Sequence, residues 1–437
     1  MTALEPLASD RPLIVYLDFK SPYAYLAWEP ARQMARDLGI AVDWRPFVLD
    51  IPSYLGSARL DERGKVAAQR RSAEQWSGVK YAYFDCRRYA NLRGLTVRGT
   101  VKIWNTDLAA LGMLWARAQG DGVLEAYVDA VYPPFWRREL DVEDPAEIAR
   151  LLQAAGASLQ GFDAFCRGPG QAANAALQQS AFEAGIFGVP TFVVGGEVFF
   201  GREHLPRLRW HLQGGRGAAP DVAYELPPAA DLTPAQALTV AVDFRSPHSY
   251  LALRPTLALA ERLRLPVRWL AVRLPVLKRP APASAGEDRG TRHRRMRAEY
   301  LARDLARYAP HPLPDLYADF DGLPAAMGLI WLADAAPTQM PAYLTATFER
   351  YWRDGNAIDR VGAVAGLIGD LGADAEGFRA FAAGSGPGAV AAMEAEAREA
   401  GVIGTPTYLL DGEPHQGRQH LPLIEARLRA GARVGSK

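Results

Sequence analysis

The sequence predicts an α/β fold built twice in tandem, and three observations carry that prediction. The stretch VYLDFKSPYAYLAW, Val15 to Trp28, returns as VAVDFRSPHSYLAL, Val240 to Leu253. Late in each half a proline opens a second apolar run, Pro190-Thr191-Phe192-Val193-Val194 and Pro406-Thr407-Tyr408-Leu409-Leu410. Between these two landmarks, each half is mostly patterned with apolar residues at three- and four-residue spacing, the signature of helix. A period near 220 residues is a domain duplication rather than a solenoid.

Taken in order, the first half opens with a strand near 13–19, whose apolar run ends at Asp18-Phe19. Ser21-Pro22 then starts a helix to about Leu38. Serine is a favoured N-cap, and proline fits the first helical position, where its missing N–H costs nothing. The Ser21 hydroxyl is therefore expected at the positive end of a helix dipole, a place that favours negative charge. A strand from Ala41 to Phe47 follows. The segments at 80–95, 106–120 and 143–156 then read as helices, as does Asp163 to Ala184. Strand character returns at Val189, Gly195-Gly196 makes a hairpin turn into Glu197–Phe200, and a helix closes the half from about Arg202 to Leu212. Residues 214–236, rich in Gly, Pro and Ala, read as a linker between domains at 1–213 and 237–437.

The second half repeats the order: a strand at 239–244, the Ser246-Pro247 helix, a strand at Val267 to Val272, a loop at 275–290, helices, and a closing hairpin turned at Asp411-Gly412. Gly417-Arg418-Gln419-His420-Leu421 echoes Gly201-Arg202-Glu203-His204-Leu205.

Composition narrows the function class. A chain of 437 residues exceeds what one core usually organises. A formal charge of +1 gives no general pull towards nucleic acid or anionic membrane. The one basic run, RGTRHRRMR from Arg289 to Arg297, reads as a solvated loop or helix face. No signal peptide or membrane helix is visible, and the two cysteines, Cys86 and Cys166, form no CxxC. Both read as ordinary buried thiols, and a reducing cytoplasm is the expected location. The seven histidines show no metal-binding spacing, and no phosphate or dinucleotide fingerprint is present, so neither a metal nor a nucleotide cofactor is expected.

The repeated DFKSPYAYLA and DFRSPHSYLA, with AGIFGVPTFVVGGEVFFG at 184–201 and the paired segments YAYFDCRRYA and YLARDLARYA, resemble the DsbA superfamily. They are most similar to its serine-bearing branch, the 2-hydroxychromene-2-carboxylate isomerases and kappa-class glutathione transferases. The resemblance implies two tandem thioredoxin-like (DsbA-type) domains, each with a helical insertion. Its dithiol position falls on Ser21-Pro22-Tyr23-Ala24 and Ser246-Pro247-His248-Ser249, which hold no cysteine, so thiol–disulfide exchange by the usual route is rejected.

By the same resemblance, Ser21 and Ser246 donate a hydrogen bond to the sulfur of bound glutathione and favour its thiolate. Val189-Pro190 and Thr405-Pro406 are expected as cis peptides beside that sulfur. Glu203 and Gln419 stand where the family commonly carries an acidic residue for the glutamyl end. The implied activity is glutathione-dependent isomerisation or transfer on a small, aromatic or unsaturated keto acid, with an internal pseudo-dimer of the two halves and homodimerisation left open. The alternative is a fused scaffold that binds a small molecule or a protein without catalysis, or one catalytic domain beside a structural one. Asp85–Arg88 and Asp304–Arg307 have the spacing of helix-surface ion pairs, with a site-facing role as the alternative. Asn105 and its counterpart Asp321 precede the next helix, where such enzymes often carry a polar residue. Aromatic side chains around 76–84, 104 and 132–136 are equally suited to a substrate wall and to core packing.

Overall fold

The apolar run from Leu13 to Leu17 becomes the central strand of the first sheet, and all five of its residues are buried. In this computed structural model the described residues are 4–61, 63, 65–227 and 232–434. They divide into two compact units, Met1–Ala230 with Ala283–Arg297, and Asp231–Pro282 with Ala298–Lys437.

The first unit runs β1 (Leu13–Leu17), α1 (Pro22–Leu38), β2 (Val42–Pro46), α2 (Ile51–Leu55), and a short hairpin β3 (Ala58–Leu60) and β4 (Val66–Gln69). Next come α3 (Ala73–Leu92), α4 (Asp107–Arg117), α5 (Asp121–Trp136), α6 (Pro145–Ala154), α7 (Phe162–Arg167) and α8 (Pro169–Glu183). The unit's main chain order ends with β5 (Thr191–Val194), β6 (Glu197–Phe200), a 3₁₀ turn at Arg202–His204 and α9 (Leu205–Leu212). Its sheet has the order β2-β1-β5-β6. β2 lies parallel to β1 and β5 antiparallel, so Val15 faces Trp44 on one side and Phe192 on the other.

The second unit repeats this with β7 (Leu238–Val242), α10 (Pro247–Leu263) and β8 (Val267–Ala271). Helix α11 (Arg289–Tyr308) begins in the first unit's share of the chain and continues into the second's. Helices α12 (Leu323–Ala335), α13 (Met340–Trp352), α14 (Val361–Asp370), α15 (Ala375–Ala383) and α16 (Gly386–Glu399) form the insertion. β9 (Thr407–Leu410), β10 (Glu413–Gln416) and α17 (Leu421–Val434) complete it, with sheet order β10-β9-β7-β8. The predicted fold class holds in both halves.

Duplication extends into the insertions. A Cβ on Gly112 would collide with the Tyr127 hydroxyl, and one on Gly328 with the Tyr343 hydroxyl. Each tyrosine instead donates to a carbonyl one turn earlier on the facing helix, Ala109 at 3.0 Å and Ala325 at 2.7 Å. Glycine is needed at both places because the phenol lies against the helix backbone.

Three local expectations change. The helix read over 163–184 is two helices broken at Gly168, whose φ of −145° and ψ of −96° lie outside the helical region. The hairpin β3–β4 was not anticipated, since its β4 residues are all exposed and show no alternation. Residues 214–236 carry no helix or strand where described, and 228–231 lie outside the described residues. Most consequential, Ala283–Arg297 groups with the first unit although its sequence lies in the second half. The basic run within it is helical, yet it is not a wholly solvated face. His293 is 7% exposed, and the guanidinium groups of Arg289 and Arg292 lie over the Phe182 ring at 4.0 and 5.4 Å.

Candidate functional site

Where β1 ends, Asp18 turns inward and ties the surrounding loops together. One carboxylate oxygen accepts the Thr106 hydroxyl at 2.6 Å and the Lys20 N–H at 3.3 Å. The other accepts the Leu49 N–H at 2.8 Å and lies 3.6 Å from the Lys20 ammonium. Asp243 does the same in the second unit, accepting the Leu274 N–H at 2.9 Å and both the N–H and the guanidinium of Arg245. Both aspartates are buried. The repeated Asp-Phe is thus an anchor that fixes the loop carrying the serine, a role that the sequence analysis did not assign. The signal was available: an invariant acid at the end of an apolar strand in both copies requires polar partners.

Ser21 caps α1, accepting the Ala24 N–H on its hydroxyl oxygen at 3.2 Å. Its own hydrogen points to the Val189 carbonyl at 3.3 Å, a long contact that leaves the hydroxyl able to rotate to another acceptor. The Val189–Pro190 peptide is cis. Ser246 repeats the arrangement with the Ser249 N–H at 3.3 Å and the Thr405 carbonyl at 3.5 Å, next to the cis Thr405–Pro406 peptide. The fold therefore joins residues 168 positions apart in the first unit and 159 in the second.

In the first unit the serine opens on a cavity of about 660 Å³. Ser21, Pro22, Tyr23, Gly188 and Val189 form one end. Aromatic walls come from Tyr54, Trp76, Tyr83, Trp104, Phe187 and Phe200. Among the described residues six cations line it, Lys20, Arg71, Lys80, Arg87, Lys102 and Arg297, and no carboxylate does. Of the aromatic positions weighed from sequence, 76, 83 and 104 face the cavity, whereas Tyr132, Phe135 and Trp136 are core.

Other candidates fall outside it. Glu203 folds back over Gly201 and is not among the lining residues. Gln419 donates to the Gln416 carbonyl at 2.9 Å. Asn105 accepts the Asp107 N–H at 2.8 Å and Asp321 the Leu323 N–H at 2.9 Å, so each satisfies the first N–H of the helix that follows. The Asp85–Arg88 pair is buried rather than on the surface, at 2.8 Å, and Asp304–Arg307 is mostly covered, at 2.7 Å. Cys86 is buried, and burial raises its thiol well above the ordinary value, whereas Cys166 is half-buried. The counterpart of Tyr23 is His248, which burial and the neighbouring Arg418 push down to about 4, against a smaller opposing effect from Asp304.

The second unit differs at its approach to the serine. Residues 272–288 between β8 and α11 contain no helix or strand, whereas the corresponding connection in the first unit holds α2 and the β3–β4 hairpin. Those elements supply Ile51, Tyr54, Leu55, Ala58 and Val66 to the first cavity.

The fold and this serine-bearing helix start define a thioredoxin-like protein without a dithiol. The chain belongs to the DSBA-like thioredoxin domain family, whose sequence profile matches residues 12–213 and again 237–429. It is similar to 2-hydroxychromene-2-carboxylate isomerase of Sphingobium xenophagum, 27% identical over 45% of this chain and 95% of that protein. It is similar also to the Pseudomonas putida protein of the same name, 28% identical over 44% of this chain and 88% of that protein. A solved structure of a 2-hydroxychromene-2-carboxylate isomerase aligns with 25% identity and a TM-score of 0.37, covering 46% of this chain and 98% of that one. Among the described residues no helix is long and apolar enough to cross a membrane.

Proposed function

We propose that the first unit is a glutathione-dependent isomerase site for a small aromatic, unsaturated keto acid, with Ser21 as the thiolate-stabilising group. The observation that carries this reading is the cavity: a helix-capping hydroxyl at one end, aromatic walls and, among the described residues, six lining cations and no carboxylate. Such a lining favours an anionic, partly apolar guest. The names of the relatives agree with that guest class.

Glutathione fits at the sulfur end, while the residue expected at its glutamyl end, Glu203, lies outside the lining. When bound, glutathione would supply a thiolate able to add reversibly to a conjugated double bond, with no net consumption of the thiol. Ser21 rotates its hydrogen from the Val189 carbonyl to the sulfur. The α1 N-terminus adds its dipole, worth about 0.3–2 kcal/mol, to a charge-assisted hydrogen bond of about 1.5–3 kcal/mol. Holding a thiol of ordinary pKa ~8.5 ionised two units lower takes about 2.7 kcal/mol, so the two effects suffice. The aromatic walls exclude water and orient the ring. The cations hold the carboxylates.

A second reading applies to the other half: Ser246 sits in a structural or accessory domain. The missing helix and hairpin between β8 and α11 favour it. Calorimetric titration with glutathione, with thiolate absorbance followed against pH, separates these readings. Ser21→Ala should raise the bound thiol's pKa by about 1–2 units, the equivalent of losing one charge-assisted hydrogen bond. Ser246→Ala should leave it in place. No binding at millimolar glutathione rejects the thiol-dependent reading and leaves the non-catalytic scaffold.

A further inference from the structure

The first unit's cavity is completed by a segment more than 50 residues beyond the linker. Residues 289–297 carry three contacts that seat this segment. Gly290 brings the start of α11 against the Ser53 carbonyl of α2, where any Cβ would collide. His293 stacks on Tyr54 with ring centroids 3.8 Å apart and 5° between planes. Its Nε2 meets the Phe187 carbonyl at 2.9 Å, and a carbonyl can only accept, so Nε2 carries the proton. Burial first, with Arg297, Arg289 and Arg294 adding to it, brings this imidazole down to about 4, despite the opposing Phe187 carbonyl. It is a neutral wedge at pH 7, holding Tyr54 beside the Phe187-Gly188-Val189 loop.

One turn after His293, Arg297 lines the same cavity. Among the described residues neither Arg297 nor Arg71 has a carboxylate within ion-pair distance, unlike Lys20 with Asp18 and Lys102 with Glu143. Arg71 is partly buried over the Trp76 ring, at 5.7 Å, and its desolvation pushes its pKa down. Both guanidinium groups are close enough to Tyr54 to bear on its hydroxyl, whose pKa is raised mainly by burial and lowered in part by Arg297 and Arg71. Two guanidinium groups with no carboxylate partner among the described residues, near one phenol and over an aromatic wall, make a pocket end suited to a carboxylate on a flat ring system.

We propose that Arg71 and Arg297, flanked by Tyr54, are the carboxylate-binding end of the Ser21 cavity. His293 is the positioning residue that holds Tyr54 there. The first site's preference for an acid over its uncharged analogue is thus set partly by the second half of the chain. This deepens the reading above by assigning the substrate's carboxylate to residues distinct from the thiol end.

The test uses the full-length protein without glutathione, titrated calorimetrically with trans-cinnamate and with trans-cinnamamide, its neutral analogue. The native protein should bind the acid more tightly. Arg297→Gln and Arg71→Gln should each weaken cinnamate about tenfold, leave cinnamamide within twofold, and leave glutathione binding within twofold. His293→Ala should weaken both cinnamate and cinnamamide, because it releases the wall rather than the charge. Equal binding of acid and amide by the native protein overturns the proposal. So does an acid preference that survives both arginine substitutions, or a loss confined to glutathione. Acid preference that depends on these arginines in a protein that does not bind glutathione upholds this assignment and rejects the thiol-dependent function.

Discussion

Asp18 shows how much of the site depends on one buried carboxylate. It accepts from Thr106, Leu49 and Lys20 at once, and replacing it by alanine strands a buried ammonium and three hydrogen-bond donors. Removing one partner of a buried charged network costs about 3–5 kcal/mol, so Asp18→Ala should lower the urea midpoint sharply and disorder the Ser21 loop. Asp18→Asn, which keeps the shape and two acceptor contacts, should lose less. His293 gives a residue-scale pH signature. Its folded-state pKa lies near 4, below the ordinary 6.5, so between those values the unfolded chain binds the additional proton. Stability contributed by the neutral form is therefore complete above about pH 6.5 and is lost as pH falls towards 4. The expected loss is about 1–3 kcal/mol. Chemical denaturation from pH 7 to 4.5 should show this slope, and His293→Gln should flatten it. His248, also near 4, adds a second slope of the same sign in the other unit.

At the scale of elements, the helical insertions and the β-hairpins obey different controls. The Ser-Pro helix start was legible because N-cap serine and N1 proline are local chemistry, and both copies adopt it with ψ near 115° at the serine. The Gly112–Tyr127 contact was not legible: nothing local marks a glycine in an apolar helix as a docking point for a phenol fifteen residues on. It yields a clear expectation. Gly112→Ala should destabilise the protein by about 1–3 kcal/mol through overpacking, despite alanine's better helix propensity. Urea unfolding should report it, and Gly112→Ala with Tyr127→Phe should recover part of the loss, since the hydroxyl is the nearest clashing atom, with the ring carbon that bears it next at 2.7 Å. Gly328→Ala should behave alike. The β3–β4 hairpin was missed for a related reason. Its strands are short, β4 is exposed throughout, and they pair with each other rather than with the main sheet, so β4 lacks the alternation that marks a half-buried strand.

At the scale of the molecule, duplication in sequence has not produced two equal compact units. The first unit holds Ala283–Arg297, taken from the connection that follows β8. A chain ended at residue 230 would leave Phe182 without the Arg289 and Arg292 guanidinium groups, and Tyr54 and Phe187 without His293. Amide exchange at α2 and at the residues before β5 should be faster in that fragment than in the intact protein, while β1 and α4 should change least. Equal protection in fragment and full chain would mean that these contacts contribute nothing to the first unit.

By itself the sequence determined the α/β class, the duplication and its order of elements, and the placing of Ser21 and Ser246 at helix starts. All of these rest on patterns within a few tens of residues: apolar runs, capping chemistry and a repeated motif. The tertiary structure alone decided that Asp18 and Asp243 anchor the serine loops, that Glu203 lies outside the cavity's lining, and that His293 and Arg297 join the first site. Those outcomes depend on which surfaces meet across long stretches of chain. A basic run such as RGTRHRRMR looks solvated until Phe182, Tyr54 and Phe187 are brought against it. Local pattern records what each segment can form, while burial and electrostatic partnership are properties of the packed unit.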